Sequence, residues 1–145
     1  MTAQVSETLI YHGKEIMMFT NPLGPYLQAN KISFVSPHTA NWRGYVGTWE
    51  IKGSEETGEQ LYLIDLKAHR SYEDIVGLKE IFPGFPDGVF AHWFSGAIRL
   101  PQGKQLKYEH MGYMSIYEYD LFLEIKKGVV SNKHAIHNTV DSNER

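Results

Sequence analysis

Between Tyr45 and Lys52 the side chains alternate strictly: Tyr45, Gly47, Trp49 and Ile51 fall on one side, and Val46, Thr48, Glu50 and Lys52 on the other. A period of two residues belongs to a strand with one buried face, because successive Cβ atoms point to opposite faces of a sheet. The same period returns further on, where Tyr117, Tyr119, Leu121, Leu123 and Ile125 oppose Glu118, Asp120, Phe122, Glu124 and Lys126. Turn residues separate such runs. His12-Gly13 joins residues 8–11 to 15–19, the acidic segment 53–59 joins 45–52 to 61–66, and Lys127-Gly128 leads into 129–137. Glycine in each turn supplies the positive φ that tight hairpins need. Pro101-Gln102-Gly103 is read as closing a strand over 89–100 and returning the chain as a partner strand over 105–110. Residues 32–35 form a further short strand, and residues 39–43 a loop that exposes Trp42. Ser71 opens the one helix expected, with Ile75, Leu78 and Phe82 at helical spacing and Pro83 as its stop. Gly77 inside it costs about 1 kcal/mol relative to Ala. The fold class predicted is mainly β, an antiparallel β-sandwich or partly closed β-barrel of roughly seven to nine strands with one short helix.

The chain has 145 residues, which suits a single domain over 1–145, and its polar end, 138–145, is expected to fray. No repeat, low-complexity tract or linker divides it. Cysteine is absent, which excludes disulfides, thiolate metal sites and cysteine nucleophiles. With no apolar run long enough for a leader or a membrane span, the expectation is a cytoplasmic protein. A formal net charge of −3 and the absence of a basic cluster disfavour nucleic acid as a partner. Aromatic residues make up 13% of the chain, a content that first supports a β core.

The chemistry-bearing residues do not assemble into a recognisable catalytic pattern. His134 and His137 are the closest histidine pair, but on a strand they face opposite sides of the sheet and cannot share an ion, so no metal or cofactor is expected. His92 and His110 would lie on two arms of the hairpin around Pro101, where a hydrogen-bonded core histidine is the better reading. Ser95 lacks the glycine-flanked elbow of a hydrolase. Glu109, Glu118 or Asp120 with His110 would suffice for acid–base work, though their spacing does not require it.

The run Phe90-Ala91-His92-Trp93-Phe94-Ser95-Gly96-Ala97-Ile98-Arg99-Leu100-Pro101-Gln102-Gly103 is followed by Leu106-Lys107-Tyr108-Glu109-His110-Met111-Gly112-Tyr113. Together with Gly47-Thr48-Trp49-Glu50-Ile51 and Leu61-Tyr62-Leu63, it resembles a group of small bacterial proteins sharing a domain of unknown function. The resemblance spans residues 42–130. It implies a bacterial or phage origin and assigns no catalytic or ligand-binding residue.

Two functional expectations follow. The first is a non-enzymatic interaction module, an accessory or inhibitory subunit that binds another protein through Trp42, Arg43, Phe85, Trp93, Tyr113 and Tyr117; self-association as a homodimer would instead pair exposed strand edges. Trp, Tyr and Arg carry a disproportionate share of interface energy. Trp42, Arg43 and Phe85 are expected to be the exposed members, and Arg99 to pair with Glu109 or Glu118 across strands. The alternative is a small-molecule-binding barrel or small enzyme with Arg99, Tyr108 and His110 in its pocket.

Overall fold

The structure is a computed structural model in which residues 3–54, 56–109 and 112–139 are described. Among them, the chain runs through β1 (Glu7–Tyr11), β2 (Lys14–Met18), α1 (Gly24–Ala29), β3 (Tyr45–Ser54), β4 (Gly58–His69), β5 (Ile75–Val76), α2 (Leu78–Ile81), β6 (Val89–Phe90), β7 (Gly96–Lys107), β8 (Ile116–Lys126) and β9 (Val129–His137). The strands form one sheet in the order β2-β1-β3-β4-β9-β8-β7, with β5 and β6 pairing to β4 beside that path. The protein is mainly β, as its alternation predicts. His12 and Gly13 make the first hairpin turn with φ of 51° and 76°, and Lys127 and Gly128 the last with 49° and 83°. Paired positive φ values give the turn whose twist matches that of the flanking strands.

The sheet is mixed rather than antiparallel. β1 lies parallel to β3, with Leu9 opposite Trp49, because β2 returns the chain to the end from which β1 started and the long connection over 19–44 begins β3 at that same end. The sheet's outer strands approach each other just past β2. Phe19 N donates to Arg99 O at 2.8 Å and Arg99 N to Thr20 Oγ1 at 3.1 Å, but no ladder joins β2 to β7 among the described residues, so the sheet is not closed into a barrel.

Four local expectations are corrected. β7 runs straight through Pro101-Gln102-Gly103 instead of turning there. Proline is tolerated because β7 is an edge strand with a single ladder partner, and Gly103, at φ 82°, takes up a register irregularity against β8. The helix expected over 71–82 is reduced to α2. Asp74 N donates to Ser71 Oγ at 3.1 Å, a turn that leads into β5, and Gly77 then starts α2 with its N–H bonded to Glu80 Oε2 at 2.8 Å. A second helix, α1, begins with Pro25 in its first turn, where the missing N–H costs nothing. Residues 32–35 are not a strand; Val35 N makes one bond to His69 O.

Trp49, Leu9, Met18, Leu61, Leu63, Ile98, Leu100 and Leu123 are fully buried and form the centre of the core. Each such side chain contributes about 1.5–3 kcal/mol of burial free energy. The face of β3 carrying Tyr45, Gly47, Trp49 and Ile51 is the inner one, as its alternation predicts.

Candidate functional site

β1 places Glu7, Leu9 and Tyr11 on the same inward face, so a carboxylate enters the core with two apolar neighbours. Glu7 is fully buried and holds three donors: Arg43 Nη2 at 2.8 Å, Gly47 N at 2.7 Å and Trp49 Nε1 at 3.2 Å. Gly47 has to be small here, because a Cβ would stand 2.8 Å from Glu7 Oε1 and 2.9 Å from Trp49 Nε1. Burial pushes the Glu7 carboxyl above its ordinary value, against the opposing pull of the Arg43 charge and the three hydrogen bonds. The same desolvation raises the Tyr45 hydroxyl, aided by Glu7. Arg43 lies over the Tyr45 ring, 5.4 Å from its centroid, and its Nε and Nη1 are buried without a hydrogen-bond partner, as are Asn41 Oδ1 and His69 Nδ1. Sealed from solvent, Glu7 has no path to a substrate. The pair works as a clamp.

What it clamps is the loop over 36–44. Trp42 N donates to Gln4 Oε1 at 2.8 Å, Gln4 Nε2 to Thr39 O at 2.8 Å, and Val5 N to Ala40 O at 2.8 Å. His69 N closes the far side on Gly44 O at 2.8 Å. On this fixed backbone the Trp42 side chain stands 51% exposed. Because β1 and β3 start at this end of the sheet and β4 finishes there, Val5, Val35, Tyr72 and Ile75 share it, and all are exposed. Tyr72 is 70% exposed in the turn before β5.

A second constellation surrounds Arg99 on β7. Its Nε donates to Asp120 Oδ1 at 2.8 Å, Nη1 to Tyr113 O at 2.6 Å and Nη2 to Ser115 O at 2.8 Å. The guanidinium also covers the Phe19 ring, at 5.0 Å, while Tyr113 stacks on Phe19 at 5.1 Å. Tyr113 OH donates to Asn21 Oδ1 at 2.6 Å, and burial pushes that hydroxyl up to about 12. A cleft of about 150 Å³ opens beside this stack, with Tyr108 and Tyr117 on its wall.

The predicted interface residues therefore separate. Trp42 and Phe85 are exposed as expected, Phe85 on the loop that follows α2. Arg43 is not: its side chain is only 11% exposed, because Glu7, thirty-six positions earlier, draws it inward. Trp93 is half-buried, stacked on Phe82 and donating from Nε1 to Pro22 O at 2.8 Å, so it packs the core beside α1. Tyr113 and Tyr117 belong to the cleft. Of the pocket alternative, Tyr108 lines the cleft, Arg99 is fully engaged by Asp120 and two carbonyls rather than by Glu109 or Glu118, and His110 lies outside the described residues. His92 is exposed in the turn before β7 rather than in the core, since the hairpin expected around Pro101 does not form. His134 and His137 stack on Phe122 and Tyr119, three positions apart on β8 as the histidines are on β9, which sets them on opposite faces. Ser95 Oγ accepts from Lys127 N at 2.9 Å and braces the last hairpin. Among the described residues, no three His, Asp or Glu side chains gather to hold a metal ion, and no helix is long and apolar enough to cross a membrane.

Sequence reasoning missed Glu7 and Tyr45. The signal for Glu7 was its parity with Leu9 and Tyr11, since an acidic residue on the buried side of a strand needs a charged or hydrogen-bonding partner. No protein-family model, curated protein or solved structure matches this chain.

Proposed function

We propose that this chain is a non-enzymatic protein-interaction module, an accessory or inhibitory subunit of a bacterial or phage complex, and that it grips its partner with the Trp42 end of the sheet in the cytosol. One observation carries this reading: a half-exposed tryptophan sits on a loop whose backbone is already held by Gln4, Val5 and the buried Glu7–Arg43 pair. A large aromatic anchor on a fixed loop loses little conformational freedom on binding, so most of its burial free energy appears as affinity. Exposed Val5, Val35, Tyr72 and Ile75 extend the apolar surface around it. The polar clusters favour this reading over catalysis, because Glu7 is sealed in the core and each guanidinium nitrogen of Arg99 is bonded within the protein.

The test is affinity capture from cells that naturally make the protein, comparing wild type with Trp42→Ala, Tyr72→Ala and, as a surface control, Tyr119→Ala. The expected result is a stoichiometric partner retained by wild type and Tyr119→Ala, and lost by folded Trp42→Ala. A partner held equally by all four would place the interface elsewhere, and capture of none would overturn the reading.

A further inference from the structure

The cleft beside Phe19 meets the Trp42 loop at Gln4, which lines the cleft and accepts from Trp42 N, but its lining holds none of the exposed residues assigned above to the partner surface. Its described lining includes Gln4 and Ser6 ahead of β1, Met17 and Phe19 on and just past β2, and Gln105, Tyr108, Tyr113 and Tyr117 on and between β7 and β8. We propose that it is a binding site for a small uncharged molecule built on one aromatic ring system and bearing a hydroxyl or N–H, of the phenol or indole class.

Size sets the first limit. An apolar cavity of about 150 Å³ is large enough to take benzene, and the cleft measures about 150 Å³. It therefore holds one ring system and is too small for a nucleotide or a drug-sized ligand, which fill roughly 300–1,000 Å³.

Charge sets the second limit. None of the described residues lining the cleft is acidic or basic. Arg99, on the Phe19 ring at 5.0 Å, has Nε, Nη1 and Nη2 committed to Asp120, Tyr113 O and Ser115 O. A carboxylate ligand would give up hydration without gaining a free counter-ion, and a cation would meet the guanidinium field across one ring.

Shape and hydrogen bonding set the third. Phe19 and Tyr113 are stacked with planes 4° apart, and Tyr117 meets Phe19 edge-on at 69°. Aromatic partners prefer these offset and T-shaped geometries, so a third ring finds both a face and an edge to pack against. Tyr113 OH and Ser115 Oγ are already bonded within the protein, to Asn21 and to Glu109. Gln105 Nε2 and Tyr117 OH, by contrast, are 3.4 Å apart, a long contact that a ligand hydroxyl or N–H can replace with two shorter ones.

Phenol and indole titrated into ¹⁵N-labelled full-length protein test this, with benzoate as the anionic control and the Ser6→Leu variant, which fills the cleft from the β1 side. The expected result is saturable shifts of the Ser6, Phe19 and Tyr117 amides with a Kd on the order of 1 mM for phenol, as a ligand of so few atoms allows. Benzoate binds about tenfold more weakly, since its charge goes uncompensated. Ser6→Leu, with otherwise unchanged spectra, loses phenol binding, and Trp42→Ala keeps it. Benzoate binding as tightly as phenol, shifts confined to other regions, or unaltered binding in Ser6→Leu would each overturn the proposal.

Discussion

Arg43→Met leaves the Glu7 carboxylate in the core with Gly47 N and Trp49 Nε1 as its remaining donors and no counter-charge. The methionine keeps most of the buried stem, so the change isolates the guanidinium. Removing one partner of a buried ion pair costs about 3–5 kcal/mol, a large share of the roughly 5–15 kcal/mol that holds a domain folded. For a chain of this length that corresponds to a fall in Tm of about 10–15 °C and, in urea, to a midpoint lower by about 2 M. Glu7 can escape the penalty by taking up a proton, which its burial already favours. The deficit of the variant should therefore shrink as the pH is lowered. Adding Glu7→Gln removes the stranded charge, so the double variant should be more stable than Arg43→Met alone at neutral pH, although it lacks more of the native contacts. Urea unfolding followed by tryptophan fluorescence at pH values on either side of neutrality measures all of this. A loss below about 1 kcal/mol for Arg43→Met, the size of an exposed pair, or a double variant no better than the single one, would refute the clamp.

Other outcomes follow from the same geometry. Gly47→Ala drives a Cβ to 2.8 Å from Glu7 Oε1 and should destabilise by about 1–3 kcal/mol, measured by urea unfolding. Wild-type stability relative to Glu7→Gln should be greatest in acid and decline as the pH rises from 4.5 through the raised Glu7 value, because the folded state holds the Glu7 proton more tightly than the unfolded chain does. Unfolding curves across that range check the sign, and a constant difference would contradict it. Asp120→Ala, which removes the carboxylate from Arg99, should lower stability by about 2 kcal/mol and disorder the stack on Phe19, seen as loss of ring-current shifts at Tyr113. Trp42→Ala, in contrast, should change stability by no more than about 0.5 kcal/mol in thermal unfolding, as an exposed side chain does.

The sequence discloses those parts of this fold that are local. Alternation in Tyr45, Gly47, Trp49 and Ile51 marks the inner face of β3, and positive-φ turns at His12-Gly13 and Lys127-Gly128 mark two hairpins, because side-chain parity and turn chemistry operate over a few residues. What is hidden depends on distant partners. The parallel pairing of β1 with β3 is made across a connection of many residues. Pro101 reads as a turn until β7 is known to be an edge strand with a ladder partner on one side. Ile75, at helical spacing from Leu78, is drawn with Val76 into pairing with His69 and Ala68 instead. Arg43 reads as a surface residue because loops ordinarily face water, and only its contact with Glu7 turns it inward. Trp42 was legible as an exposed loop aromatic, whereas the bonds that fix its loop were not.

Site-specific photo-crosslinking in the cells that make the protein locates the partner surface, with a photoreactive phenylalanine analogue placed in turn at Trp42, Tyr72 and the β1–β2 turn residue His12. One discrete crosslinked species is expected from positions 42 and 72 and none from position 12. Crosslinks of equal yield at all three positions, or a discrete product from position 12 alone, would contradict that placement.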